Sequence, residues 1–88
     1  MISKQIKLTN AEGLHMRPAG AFASAMSKYK CDVTITFNDR QINAKSIMSI
    51  LTACIKSGSV ITVICNGDDE NEALSEAISI IESEFTKN

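Results

Sequence analysis

The spacing of apolar residues changes along this chain of 88 residues, and each change predicts a new element. Near the start, Ile2, Ile6 and Leu8 alternate loosely with polar residues, which predicts a half-exposed strand. After a turn over residues 10–13, the spacing becomes i, i+3, i+4, i+7, which is typical of an amphipathic helix that begins at Met16. The apolar positions of this helix are Ala19, Phe22, Ala23, Met26 and Tyr29 or Lys30.

The middle of the chain predicts a β-hairpin. Val33, Ile35 and Phe37 alternate with polar residues, as expected for a strand with one face in water. A tight turn at Asn38-Asp39 leads into a short second strand over residues 40–43, from Arg40 to Asn43. Two antiparallel strands therefore follow the first helix.

Capping residues and a long apolar run define the next elements. Ser46 is a natural N-cap for a short helix that reaches about Ala53, and Gly58 ends this region. The run from Val60 to Asn66 is apolar on both faces in places, which favours a central strand of the sheet.

The last element is a third helix. A turn at Gly67-Asp68 precedes it, and Asp69 with Glu72 three residues later resembles a capping box. The inward positions of this helix are predicted to be Leu74, Ala77, Ile78, Ile81 and Phe85.

The element order β-α-β-β-α-β-α predicts an α+β fold. We expect an open-faced β-sandwich, in which three helices cover one face of a four-stranded antiparallel sheet and water covers the other. Residues 1–88 are expected to form one domain, because a chain of this length builds a single core.

Composition excludes several classes of function. The net charge is −1 and no Lys/Arg cluster occurs, which argues against a nucleic acid or an anionic membrane as partner. The longest apolar stretches have the length of strands, and no basic segment precedes one, so we expect no secretion and no membrane insertion. Cys31, Cys54 and Cys65 show no C-x-x-C spacing, which predicts neither a disulfide framework nor a metal site. We expect Cys65 to be a small buried apolar residue and the protein to be cytoplasmic.

The single histidine of the sequence, His15, lies in the run from Gly13 to Ala19. Neutral imidazole is a nitrogen nucleophile near pH 7, because its pKa is about 6.5. A phosphoryl group on it would find the guanidinium of Arg17 and the N-terminus of the helix that Pro18 marks. The run by itself is equally compatible with an ordinary capping histidine. Since no Ser, Cys or Asp stands nearby and no further metal ligand pairs with His15, a hydrolytic triad or a metal site gains no support.

The segment from Asn43 to Leu51 carries the second candidate site. Its short helix has too many apolar residues for one inward stripe, so some must face outward. We expect Ile47, Met48 and Leu51 to form an exposed apolar patch that binds a protein partner. Phosphorylation of Ser46 would add charge beside this patch at the start of the helix.

Together these two segments resemble the HPr family, the histidine-containing phosphocarriers of the bacterial phosphoenolpyruvate:sugar phosphotransferase system. The run from Gly13 to Ala19 resembles the active-site motif of the family, and the run from Lys45 to Met48 resembles its regulatory-serine motif. The resemblance covers essentially the whole chain. It implies a carrier protein that is not itself an enzyme and needs no cofactor.

The resemblance also implies a role for each site residue. Enzyme I would phosphorylate His15 on Nδ1, and the phosphoryl group would pass to the enzyme IIA domains of sugar permeases. Arg17 would stabilise the phosphate, with the backbone N–H groups of Met16 and Arg17 completing the anion site. The partner-binding residues would be Met16, Gly20, Ile47, Met48 and Leu51.

Regulation is implied by the second motif. Ser46 would be phosphorylated by an HPr kinase/phosphorylase and would then act through a catabolite-control regulator, since Ile47-Met48 resembles the Firmicutes-type members. A carrier that exposes one face to successive partners is expected to be a monomer.

Three residues depart from the usual family pattern: Met16 stands where Ala or Thr is usual, Gly20 where Thr or Ala is usual, and Cys54 where Gly is frequent. Two alternatives stay open. One is a regulatory module that acts only through Ser46, and the other is a small acyl-phosphate hydrolase.

Overall fold

A computed structural model describes residues 1–8, 16–56 and 58–82, with the backbone alone for residues 16–18. The predicted turn over residues 10–13, His15 and Phe85 lie outside these residues.

The described elements follow the predicted order. They are β1 (Ile2–Lys7), α1 (Met16–Ser27), β2 (Asp32–Phe37), β3 (Arg40–Asn43), α2 (Ile47–Thr52), β4 (Val60–Asn66) and α3 (Glu70–Ile80). The strands form one sheet in the order β1-β4-β2-β3, and every neighbouring pair is antiparallel. The α+β open-faced sandwich is confirmed, and β4 is an inner strand as predicted.

The pairing register aligns the apolar positions of neighbouring strands. Cys65 lies opposite Val33 and opposite Ile2, and Ile35 lies opposite Ile42. Because side chains alternate along a strand, this register gathers the apolar residues on the side that the helices cover. The largest fully buried side chains are Phe22, Leu8, Met26, Ile35, Ile50, Ile61, Ile81, Val63 and Cys65.

Helix α1 buries the predicted stripe but ends earlier than predicted. Ala19, Phe22, Ala23 and Met26 are buried. The helix ends at Ser27, whose hydroxyl donates to the Ala23 carbonyl at 2.7 Å. Since such a hydroxyl competes for the carbonyl groups of the preceding turn, it favours a helix end at this point.

The inward face of α3 is centred on small residues. Ala73, Ala77 and Ile81 are fully buried, whereas the predicted Leu74 and Ile78 are only half-buried. Alanine lets a helix approach the sheet closely, and the longer side chains then lie at the flanks of the contact. A pattern that weights large apolar residues therefore misses Ala73.

The predicted capping box at the start of α3 is wrong. Asp69 is the N-cap residue, but its side chain makes no capping hydrogen bond. Its carboxylate instead accepts the backbone N–H groups of Lys30 at 2.8 Å and Cys31 at 2.9 Å. These two bonds hold the pKa of Asp69 below its ordinary range and tie the α1–β2 connection to the start of α3.

Two of the three cysteines belong to the core. Cys31 and Cys65 are buried and Cys54 is exposed, and all three are free thiols. Burial raises the pKa of the Cys31 thiol to about 11 and also raises that of Cys65. The prediction that Cys65 is a small buried apolar residue is confirmed.

Candidate functional site

Helix α1 supplies the first half of the candidate site. It begins at Met16, the residue that follows His15 in the sequence, and Pro18 is its third residue as predicted for a first turn. The first N–H groups of an α-helix have no acceptor within the helix, so the backbone of Met16 and Arg17 is suited to an anion. His15 and the side chains of Met16 and Arg17 lie outside the described part of the structure.

Ser46 begins the second half of the site, and it caps α2 as predicted. Its backbone is extended, with φ −110° and ψ 115°, and its hydroxyl oxygen accepts the N–H of Ser49 at 3.2 Å. Its carbonyl accepts the N–H of Ile50 at 3.1 Å. Ser46 is half-buried, so part of the side chain remains accessible.

Helix α2 presents an apolar surface to water, as the sequence predicts. Ile50 is fully buried, but Ile47 is 40% exposed and Met48 is 67% exposed. Leu51 is half-buried and packs against the core at the edge of this surface. We call Ile47, Met48 and Leu51 the α2 patch. A surface of this kind is more often a contact for another protein than a structural defect.

The two halves of the site share one side of the molecule. Helices α1 and α2 pack against each other above the sheet. Gly20, in the second turn of α1, is half-buried, and a Cβ added there would have no atom of the described residues within 4 Å outside its own helix. The fold therefore brings Ser46, Gly20 and the α2 patch into one helical layer, with the first turn of α1 in that same layer.

Hydrogen bonds that the apolar pattern does not predict surround the end of α1. The Tyr29 hydroxyl donates to Glu76 Oε1 at 2.5 Å, and the Lys28 ammonium lies 2.8 Å from the same oxygen. The bond to Glu76 raises the pKa of Tyr29 to about 12, and Lys28 lowers the pKa of Glu76. The ammonium of Lys45 donates to the Tyr29 carbonyl at 2.7 Å. The sequence signal for this last contact is only the position of a lysine directly before the N-cap of α2.

The described residues contain neither a metal-binding cluster nor a membrane-spanning helix. Within the described ranges, no group of three His, Cys, Asp or Glu side chains could hold a metal ion. None of the helices described is long and apolar enough to cross a membrane.

Comparison with known proteins gives the family. The family model described as the PTS HPr component phosphorylation site matches residues 2–83. The chain belongs to the HPr family. It is 38% identical to the HPr-like protein Crh of Halalkalibacterium halodurans over 84 residues, which cover 96% of this chain and 100% of that relative. It is also 38% identical to the phosphocarrier protein HPr of Buchnera aphidicola over 85 residues, which cover 97% and 99% of the two chains.

A solved HPr structure has the same fold. HPr from Thermoanaerobacter tengcongensis superimposes with a TM-score of 0.93 at 35% identity, over 100% of this chain and 99% of the other. Membership of the HPr family supports a phosphocarrier role in the phosphotransferase system, and phosphocarriers are not enzymes. The family also implies that the partners are proteins of that system.

Proposed function

We propose that this chain carries a phosphoryl group on His15, which it accepts from enzyme I and passes to enzyme IIA domains. In the first step the Nδ1 lone pair of His15 attacks phosphorus as the bond between phosphorus and the donor group on enzyme I breaks. In the second step a nucleophile of the IIA domain attacks the same phosphorus, and the bond to Nδ1 breaks. Nothing else is consumed, so the chain returns to its starting state.

The start of α1 carries this proposal. The helix begins at Met16, the residue after His15. Its free N–H groups therefore directly follow the proposed phosphoryl acceptor in the sequence. We assign the backbone of Met16 and Arg17 to the phosphate oxygens and the Arg17 guanidinium to their charge. A phosphoryl transfer passes through a loose transition state, in which positioning and charge are what the protein contributes.

A relay intermediate must release phosphate as readily as it accepts it. One arginine and one helix N-terminus make an anion site of moderate strength. Such a site suits a transient phosphoryl group better than a tight anion site would. The proposed docking surface is Met16, Gly20 and the α2 patch. Because methionine side chains adapt to surfaces of different shape, the same surface can serve enzyme I and the IIA domains in turn.

Phosphorylation with purified enzyme I and phosphoenolpyruvate tests the carrier role. We expect one acid-labile phosphate per chain on wild type, none on His15→Ala, and slower labelling of a normally folded Arg17→Ala. Acid-labile labelling of His15→Ala would refute the assignment. Release of inorganic phosphate from acetyl phosphate by the chain alone would instead favour the hydrolase alternative.

We further propose that Ser46 is a regulatory phosphorylation site for an ATP-dependent HPr kinase/phosphorylase, read by a catabolite-control regulator. The half-buried hydroxyl at the start of a short helix and the neighbouring α2 patch support this role. The identity with an HPr-like Crh protein equals that with a phosphocarrier, so a module that acts only through Ser46 is the second candidate. The retention of both His15 and Arg17 favours the carrier. An acid-stable phosphate on Ser46, absent from Ser46→Ala, tests the regulatory role.

We propose that residues 1–88 form one domain, that the protein is a cytoplasmic monomer, and that it binds neither nucleic acid nor membrane. Sedimentation of the purified chain across a concentration series tests the monomer, since a dimer would give a heavier species as concentration rises.

A further inference from the structure

We propose that Lys45 is a positioning residue for the phosphorylation of Ser46. Its side chain fixes the segment before α2 against the end of α1, so that a kinase meets Ser46 in one ordered conformation. This inference rests on the proposed phosphorylation of Ser46.

The Lys45 side chain is half-buried, and its ammonium is directed at the end of α1. It donates to the Tyr29 carbonyl at 2.7 Å, and Tyr29 stands two residues beyond the last residue of the helix, Ser27. A carbonyl just beyond the C-terminal end of a helix has no N–H donor within that helix, so it is available to a cationic donor such as this ammonium. A charged donor makes this bond stronger than a neutral one would be.

The backbone on either side of the Lys45 side chain is fixed as well. The Lys45 N–H donates to Asn43 Oδ1 at 3.0 Å, in the manner of an Asx turn. Ala44 is fully buried, and its N–H donates to the Val33 carbonyl at 3.0 Å. The segment is therefore attached to the sheet through Ala44 and to the residues just after α1 through Lys45. Ser46 is the next residue, so these attachments also fix the position of its backbone.

Helix α2 depends on that attachment. It has six residues, which is too short for a helix that is stable by itself. The Ser46 cap and the fixed segment before it therefore decide whether the first turn of α2 is formed. A kinase that binds an already ordered segment loses no binding free energy in ordering it. Order in the segment around Ser46 therefore lowers the KM of the kinase for this protein. Loss of the Lys45 contact should raise KM and leave kcat unchanged.

Lys45→Met keeps the aliphatic chain and removes the ammonium. Its matched control is Lys56→Met, which removes an exposed lysine that lies beyond α2. The first readout is hydrogen exchange of the Ser49 and Ile50 amides, both of which donate to Ser46. We expect about tenfold faster exchange in Lys45→Met, the factor that corresponds to a lost charge-assisted hydrogen bond. Lys56→Met should exchange like wild type, and Lys45→Arg, which restores a cationic donor, should recover most of the protection.

The second readout is steady-state phosphorylation of Ser46 by an HPr kinase/phosphorylase and ATP. We expect Lys45→Met to raise the KM for this protein by about tenfold at unchanged kcat, in step with the exchange rates. If Lys45→Met does not fold, Lys45→Gln takes its place, with a smaller rise in KM because a neutral donor remains.

The two proposals fail in different ways. A wild-type chain that takes no phosphate on Ser46 overturns the regulatory role, and this inference falls with it. A wild type that is phosphorylated while Lys45→Met keeps the wild-type KM overturns this inference alone. Faster exchange without a change in KM would show Lys45 to be a structural contact, which also refutes the positioning role.

Discussion

Gly20→Ala should stabilise this protein, and the structure explains the sign. Gly20 lies inside the twelve-residue helix α1, where glycine is about 1 kcal/mol less favourable than alanine. Among the described residues, a Cβ at this position would have no atom within 4 Å outside its own helix, so packing against them neither adds to nor opposes the gain. We expect the free energy of unfolding to rise by about 1 kcal/mol.

The gain is large enough to measure in two ways. For a domain of this size, 1 kcal/mol corresponds to a rise in Tm of about 4–8 °C. In urea, with an m value of about 1–3 kcal/mol/M, the midpoint should rise by roughly 0.3–1 M at unchanged m. Chemical denaturation monitored by circular dichroism gives both the midpoint and m.

The same substitution at two other glycines provides matched controls. A Cβ on Gly67 would lie 2.6 Å from Cys31 Cβ and 2.7 Å from Cys31 Cα. Gly67→Ala should therefore destabilise by about 1–3 kcal/mol, as overpacking does. Gly58 has a φ of +89°, so Gly58→Ala should cost about 1 kcal/mol through backbone strain. If Gly20→Ala destabilises, or if all three variants shift in the same direction, the reasoning about α1 and its open flank is wrong.

Three further predictions concern titration and backbone strain. Tyr29 is the only tyrosine, so its ionisation can be followed by ultraviolet absorbance, and its pKa of about 12 should fall toward the ordinary value of about 10 in Glu76→Gln. Because the pKa of Tyr29 is raised in the folded state, its hydrogen bond to Glu76 stabilises the fold below about pH 10, and this stabilisation is lost as the pH rises toward 12. A titration midpoint of Tyr29 near pH 10 in wild type would refute this hydrogen bond. The pKa of Asp69 is lowered in the folded state, so its ionised form stabilises the fold above the unfolded pKa of about 3.9, and this stabilisation is lost as the pH falls through the folded pKa. Asp69→Asn should therefore reduce the drop in urea midpoint between about pH 6 and pH 3. An unaltered drop would count against the two backbone bonds of Asp69. Cys54 has a φ of +54°, so Cys54→Gly should stabilise the fold by about 0.5–1 kcal/mol. Ala53 has a φ of −71°, so Ala53→Gly should destabilise the fold by about 1 kcal/mol. Equal effects of the two variants in thermal unfolding would contradict backbone strain at Cys54.

Features that depend on neighbours in the sequence were predictable. The alternation in β2 and β3, the turn between them and the Ser46 cap each depend on residues only a few positions apart. The apolar excess in α2 likewise predicted the exposure of Ile47 and Met48, because a six-residue helix has room for only one inward stripe.

Features that depend on distant partners were not predictable. Asp69 bonds the backbone of Lys30 and Cys31, which lie 39 and 38 residues away in the sequence. An acidic residue at an N-cap normally accepts N–H groups of its own helix, and only the packed fold offers the competing donors. The Lys45 contact with the Tyr29 carbonyl is of the same kind, since it exists only after α1 and α2 are placed side by side.

Residues that depart from local structural preferences indicate a candidate binding surface only when apolar side chains are also exposed there. Gly20 inside a helix, a positive φ at Cys54 and the exposed Ile47 and Met48 each reduce stability or solubility, and all lie in or directly after α1 and α2. Asp39 also has a positive φ, of 64°, yet it lies in the β2–β3 turn. Strain at Asp39 therefore needs no functional explanation, because a tight hairpin turn requires that conformation at any residue. No such geometric requirement accounts for the exposure of Ile47 and Met48, and this exposure supports the proposed docking role of the α2 patch.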